Sequence, residues 1–223
     1  MDVICHRACP VGAPENSLPA ARAVPAHVDM IEIDVQRCQS GEIVVFHDRL
    51  LDRVTNETGA VAGTTNEGLR KMTLEDTNTT IPRLESLVDA VPPEIGLNIE
   101  LKHAGMATDL LSLLEGVKNE ILVSSFVPQA IGSLAESGIQ TAHLIEPNRS
   151  VGWEPELAAA ESIGADAVHP HYETVTDDRI ASAHDRGLSV NAWTVPDSAT
   201  VEALRTAGAD GVLVDDWRVV ESE

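Results

Sequence analysis

Two carboxylates two residues apart inside an apolar run, Glu32 and Asp34, are the first sign of chemistry; they lie in the stretch 30–48, MIEIDVQRCQSGEIVVFHD. Successive strand side chains alternate faces, so these two point the same way. Neighbouring anions repel unless a cation sits between them, and a hard divalent metal suits oxygen ligands of this kind. By themselves, paired acids on a strand also fit a solvated face. The interleaved Ile31, Ile33 and Val35, with the wholly apolar return run 43–46, argue for an inward one. Ser40-Gly41 reads as a two-residue hairpin turn. With Gln39 across from Glu42, that register sets His47 opposite Asp34, so one hairpin would bring two acids and an imidazole together.

These residues need strands to hold them. Apolar β-rich runs occur at 3–5, 30–35, 97–101, 121–124, 141–145, 167–168, 188–192 and 212–214. Helical patterns fall between them, at about 16–24, 84–91, 106–117, 128–137, 154–163, 177–186 and 197–207. Gly138, Gly164, Gly187 and Gly208 follow helical runs, as helix ends prefer. Alternating strands and helices imply a parallel sheet, and eight strands close a barrel, so the expected fold is a single-domain TIM (β/α)8 barrel over residues 1–223. Residues 49–83, rich in Thr, Asn and Gly, break the rhythm. They read as an excursion over the barrel mouth or as a surface loop.

Catalytic groups of such barrels sit at the C-terminal strand ends. Here those ends carry His6-Arg7, Asp34, Glu100 with Lys102, Ser125-Phe126, His143 and Glu146, His169 and His171, Trp193, and Asp215-Asp216. Packing does not call for polar side chains at these positions. His143, His169 and His171 are expected as possible mouth residues; His27, His103 and His184 receive no role.

Thirty-six acids against 15 bases give a net charge of −21, with the acids dispersed along the chain. That suits a folded acidic surface in a salty cytoplasm and disfavours nucleic acid as a partner. No run of about 18 apolar residues suggests a membrane span, and the start MDVICHRACP reads as a first strand rather than a leader. A cytoplasmic location with no stable membrane association is expected. Cys5, Cys9 and Cys38 lack zinc spacing and are expected as free thiols.

An ordered set of short motifs spans residues 4 to about 216: His6-Arg7, Pro14-Glu15-Asn16-Ser17, Glu32-x-Asp34, His47-Asp48, Leu51-Asp52-Arg53 with Thr58-Gly59, and Ile81-Pro82-Arg83-Leu84. Glu100-x-Lys102, Ser125-Phe126, Asn191-x-Trp193-Thr194-Val195 and Gly211-Val212-x-Val214-Asp215 continue it. The set resembles the glycerophosphodiester phosphodiesterase family. That resemblance implies hydrolysis of a small-molecule glycerophosphodiester to an alcohol and a glycerol phosphate. It implies one divalent cation, Mg2+ or Ca2+, on Glu32, Asp34 and Glu100, and His6 and His47 as an acid–base pair. Arg7 and Lys102 match phosphate-holding positions, and Phe126 and Trp193 would wall the glycerol or head group. We take His47 as the base and His6 as the acid, the reverse order staying open, as do the head group and the oligomeric state.

The chain also departs from the family pattern. Ala8 stands where Gly usually follows His-Arg, Pro196 replaces a common Asn, Asp216-Trp217 replaces a usual Pro ending, and residues 60–80 look short. These departures bear on substrate choice. Other readings are a phospholipid or lysophospholipid head-group phosphodiesterase, a non-catalytic metabolite-binding barrel, and a sugar-phosphate isomerase. The first needs an apolar or basic surface, and the second predicts the loss of a ligand or a histidine. An isomerase does not require three converging acids.

Overall fold

The computed structural model describes residues 1–147 and 151–220. Its strands are β1 (Asp2–Cys5), β2 (Met30–Arg37), β3 (Ile43–Val45), β4 (Gly96–Leu101), β5 (Ile121–Ser125), β6 (Gln140–Ile145), β7 (Ala167–Pro170), β8 (Ser189–Val195) and β9 (Gly211–Val214). Neighbours run β1-β9-β8-β7-β6-β5-β4-β2, and β1 pairs with β2 to close the ring. All pairings around the ring are parallel, and β3 runs antiparallel to the end of β2. With helices between the strands, this is the expected TIM (β/α)8 barrel.

The helices are α1 (Leu18–Ala23), α2 (Asn66–Leu69), α3 (Leu84–Val88), α4 (Ala107–Leu113), α5 (Pro128–Gly132), α6 (Trp153–Ser162), α7 (Asp177–His184) and α8 (Ser198–Ala207). Side-chain oxygens of Ser17, Thr176 and Asp197 cap α1, α7 and α8. Ile31, Ile33, Leu97 and Ile99 face the helices and join one large cluster with Leu87, Leu110, Leu157 and Leu204. Alternate positions face the lumen, where Ile4, Met30, Leu122, Ala142, Ala167 and Leu213 meet. Each fully buried Ile or Leu is worth about 1.5–3 kcal/mol. A one-residue slip of β2 would therefore bury Glu32 and Asp34 among the helices, which locks the acids onto the inner face.

The hairpin register differs from the expectation by one residue. Val35 pairs with Val45 and Arg37 with Ile43, and the Phe46 N–H donates to the Asp34 carbonyl (2.9 Å). The turn holds three residues, Gln39-Ser40-Gly41, because Gly41 adopts φ +100° and absorbs the extra one. Phe46, not His47, lies opposite Asp34, and His47 reaches the mouth from beyond the strand end.

Residues 49–83 carry α2 and several isolated bridges, and they enclose their own apolar cluster. Leu51, Val54, Val61, Leu69, Leu74 and Ile81 pack there on Val44 and Phe46 of the hairpin. Among the described residues, no helix is long and apolar enough to cross a membrane.

Candidate active site

The first strand ends in a sharp turn. Arg7, Ala8 and Cys9 all have positive φ (50°, 61° and 47°), and none is glycine. Left-handed backbone costs an L-residue roughly 1–2 kcal/mol, so surrounding contacts must hold the turn. The Cys9 N–H donates to the His6 carbonyl (2.9 Å) and the Asn16 N–H to the Arg7 carbonyl (3.0 Å). Cys5 and Cys9 are joined by a disulfide across the turn, which overturns the expectation of free thiols for this pair. The left-handed turn brings their Cα atoms to 4.8 Å, within bridging range. Cys38 is free and buried. The family's Gly position thus needs φ > 0 here, and Ala8 occupies it.

On the lumen side, one oxygen each from Glu32, Asp34 and Glu100 lie within 4.8 Å of one another, all three side chains buried. The Arg7 backbone N–H donates to Glu32 Oε2 (2.8 Å), and Glu32 Oε1 has no hydrogen-bond partner among the described residues. Lys102 Nζ lies 2.6 Å from both Asp34 Oδ1 and Glu100 Oε1. Burial and the Asp34 charge push Glu32 up to about 8 and Glu100 up to about 7. Burial pushes Asp34 the same way, but the Lys102, His47 and Arg7 charges hold it well below the usual carboxylate range. A buried triad carrying that much self-repulsion, with an orphaned carboxylate oxygen, fits a small dication.

Two imidazoles flank the acids. His6 Nδ1 lies 2.6 Å from Asp215 Oδ1, and His47 Nδ1 lies 2.5 Å from Asp48 Oδ1. With each Nδ1–H donating to a carboxylate, each Nε2 is left as the working nitrogen. Burial lowers the His6 pKa, but the Asp215 hydrogen bond and the Glu32 charge outweigh it and leave His6 above its ordinary value. Burial dominates at His47, and with the Lys102 and Arg7 charges it outweighs the Asp34 charge and leaves His47 below its ordinary value. One imidazole is thus biased toward the proton and the other away from it.

His6, Arg7, Glu32, His47, Glu100, Phe126 and Trp193 all line one cavity of about 130 Å³, with Ser124 and Leu144. Asp34 and Lys102 adjoin it through the contacts above. Phe126 and Trp193 meet edge to face at 5.6 Å and form its apolar wall, and the Trp193 indole N–H donates to the His169 carbonyl (2.7 Å). A wider groove of about 670 Å³ opens beside it along His47–Arg53, with Lys102 and Val127 opposite.

Not every strand-end residue reaches the mouth. His143 lies on the outer face of β6, its Nε2 2.9 Å from Glu156 Oε2 of α6, and Glu146 lines a separate small cavity with Trp153 and Arg179. Strand parity turns His143 toward the helices. His169 is fully buried, its Nε2 beside the Asn191 amide (3.0 Å), and burial pushes it down to about 3, which keeps it neutral. His171 stacks edgewise on Trp193 at 5.2 Å and joins the aromatic wall.

The structure adds residues that had no role in the sequence reading. Asn16 Nδ2 donates to Asp34 Oδ2 (2.7 Å), and Asn16 Oδ1 accepts from the Asp34 N–H (3.1 Å). Glu15 accepts from Arg7 and from Arg53. Both lie in the Pro14–Ser17 motif, and Asp48, Arg53 and Asp215 each belong to another motif. Motif membership was the available signal; the pairings themselves, which span 1 to 209 residues, were not.

Along nearly its whole length the chain is similar to known proteins. The profile of the Glycerophosphoryl diester phosphodiesterase family matches residues 6–219. YhdW of Bacillus subtilis strain 168 is 33% identical over 230 residues, covering 96% of this chain and 94% of that protein. A glycerophosphodiester phosphodiesterase of Caldanaerobacter subterraneus subsp. tengcongensis is 26% identical over 236 residues, covering 96% and 93%. An Oleispira antarctica phosphodiesterase, solved with the product sn-glycerol-3-phosphate, superimposes with a TM-score of 0.86 at 26% identity, covering 96% and 93%.

Proposed function

Since the chain belongs to the glycerophosphoryl diester phosphodiesterase family, we propose that it cleaves glycerophosphodiesters to an alcohol and a glycerol phosphate by histidine acid–base catalysis. It is a phosphoric diester hydrolase. The observation that carries the mechanism is the buried acid triad flanked by two imidazoles of opposite proton bias, with Glu32, Glu100 and both imidazoles lining one cavity and Asp34 adjoining it.

In this reading, Arg7 and Lys102 hold the phosphate oxygens, the Arg fork supplying directed donors and the Lys a point charge. Neutral His47 takes the proton from the attacking oxygen as its bond to phosphorus forms. Protonated His6 gives its proton to the alcohol oxygen as the P–O bond breaks, so the alcohol leaves uncharged. Glu32, Asp34 and Glu100 would hold one divalent cation, Mg2+ or Ca2+, whose chemistry is neutralisation of phosphate charge. Phe126 and Trp193 pack the glycerol carbons and exclude water.

We extend the reading to the whole chain as one catalytic domain, with residues 49–83 forming one side of the mouth. It would act on soluble small molecules, without nucleic acid or stable membrane association, in a salty cytoplasm. The test is alcohol release from glycerophosphocholine and its ethanolamine, glycerol and inositol counterparts, in high salt, with and without chelator. Turnover that chelator, His47→Ala and Glu100→Ala each abolish is the expected result. A folded, metal-loaded protein inactive on all four sinks the reading.

A further inference from the structure

A chain of hydrogen bonds outside the acid triad runs from His47 to Arg7. Resting on the reaction proposed above, we propose that Arg53 and Glu15 are positioning residues, holding the His47 imidazole and the Arg7 guanidinium in one fixed frame.

Arg53 stands between two carboxylates. Its Nε donates to Asp48 Oδ2 (2.5 Å), while its two terminal nitrogens donate to Glu15 Oε2 (3.0 Å) and Oε1 (2.6 Å). Asp48 turns its other oxygen to His47 Nδ1 (2.5 Å). Both Glu15 oxygens also accept from one Arg7 terminal nitrogen, each at 3.1 Å. Arg7 Nε in turn lies 3.7 Å from Asp34 Oδ2. Three separate segments, at residues 7–15, 47–48 and 53, thus share one network.

The chemistry of each member suits its place. A planar guanidinium can serve two carboxylates at once from fixed directions, which a lysine ammonium cannot. Burial raises the Glu15 pKa, but the hydrogen bonds and charges of Arg53 and Arg7 outweigh it and keep Glu15 ionised. Asp48 follows the same pattern, burial being outweighed by Arg53 and His47. Two fixed anions therefore orient two working cationic or titratable groups, and Arg53 fixes the anions. Without Arg53, Asp48 is free to swing, and His47 loses the acceptor that selects its tautomer and ring plane.

A tether that only fastens residues 49–83 to the barrel would use the same contacts, so the experiment must separate orientation from stability. Arg53 is 46% exposed, Glu15 keeps its Arg7 partner and water reaches Asp48, so Arg53→Gln should fold. Arg53→Gln is expected to lower kcat about 10- to 100-fold, the loss typical of a displaced catalytic group, with Arg53→Lys only partly active. Glu15→Gln, which acts on Arg7 directly, should raise KM as well. In a double-mutant cycle, Arg53→Gln should add little once Asp48→Asn is present. Imidazole 15N spectra, with the His47 signal identified by its loss in His47→Gln, should show an Nδ1–H tautomer in the wild type and a mixture in Arg53→Gln. An unchanged kcat in Arg53→Gln, additive effects with Asp48→Asn, or an unchanged tautomer would each overturn the proposal. If the wild type turns over no glycerophosphodiester, the proposed reaction fails instead, and the tautomer spectra decide the positioning role without it.

Discussion

Asn16 and Asp34 form a reciprocal pair: the Asn16 amide donates to the Asp34 carboxylate at 2.7 Å and accepts from the Asp34 backbone N–H at 3.1 Å. Both side chains are buried. The pair fixes the carboxylate's plane from an element that precedes it by 18 residues, at a turn where Asn16 itself has φ 55°. Asparagine is among the few side chains that tolerate such a backbone while keeping both a donor and an acceptor. Asn16→Ala is therefore expected to weaken divalent-cation binding about 10- to 100-fold, the usual effect of losing a residue that orients a ligand. Titration calorimetry with Mg2+ and Ca2+ on wild type and variant checks this; equal affinities would remove Asn16 from that role.

In the proposed reaction, the opposite biases of the two histidines set the pH dependence. His47 must be neutral to accept a proton, and its lowered pKa places the acidic limb of kcat/KM below the ordinary imidazole value of 6.5. His6 must be protonated to donate, and its raised pKa places the alkaline limb above 6.5. The expected profile is a bell. Asp215→Asn removes the hydrogen bond that raises His6, so the alkaline limb should move to lower pH while the acidic limb stays. Movement of the acidic limb alone would assign the donor role to His47.

Chelated protein should lose stability as pH rises. Glu32 and Glu100 ionise at about 8 and about 7 when folded, against an ordinary value of 4.5. Between 4.5 and 8 the folded state therefore binds more protons than the unfolded one. Stability then falls with rising pH across that window and levels off above it. Calorimetric Tm values should decline through that range with chelator and hold steady with saturating Mg2+ or Ca2+, which favours the ionised acids. A chelated Tm independent of pH would mean the acids are not strained against one another.

Reducing the Cys5–Cys9 disulfide should loosen the turn that carries His6 and Arg7. A loop of this size contributes about 2 kcal/mol by closure entropy, and here it also braces three left-handed residues. A phosphine reductant, or Cys5→Ala with Cys9→Ala, should lower Tm by several degrees. KM should rise as Arg7 loses its fixed backbone. Ala8→Gly, which removes the left-handed cost at one position, should recover part of the Tm.

The amino-acid sequence by itself determined the barrel and pointed to His6, Arg7, Glu32, His47, Glu100, Phe126 and Trp193 at its mouth, but it also pointed to His143, which the structure turns outward. Alternation of apolar runs with helical patterns is a local property, and eight such runs are enough to close a barrel, as they do here. Strand parity is local too, so Glu32, Asp34 and Glu100 were bound to share an inner face once their neighbours were apolar. Tertiary structure decided what depends on the exact path of a turn or on contacts across the ring. Gly41's positive φ moved the hairpin register by one, and the left-handed run Arg7–Cys9 brought two cysteines into bonding distance. Closure of β1 on β9 set Asp215 against His6 across 209 residues. Closure of β1 on β2 carried the turn that places Asn16 on Asp34. The divergence of the two histidine pKa values belongs to the same level, because burial and neighbouring charge exist only after the chain has closed.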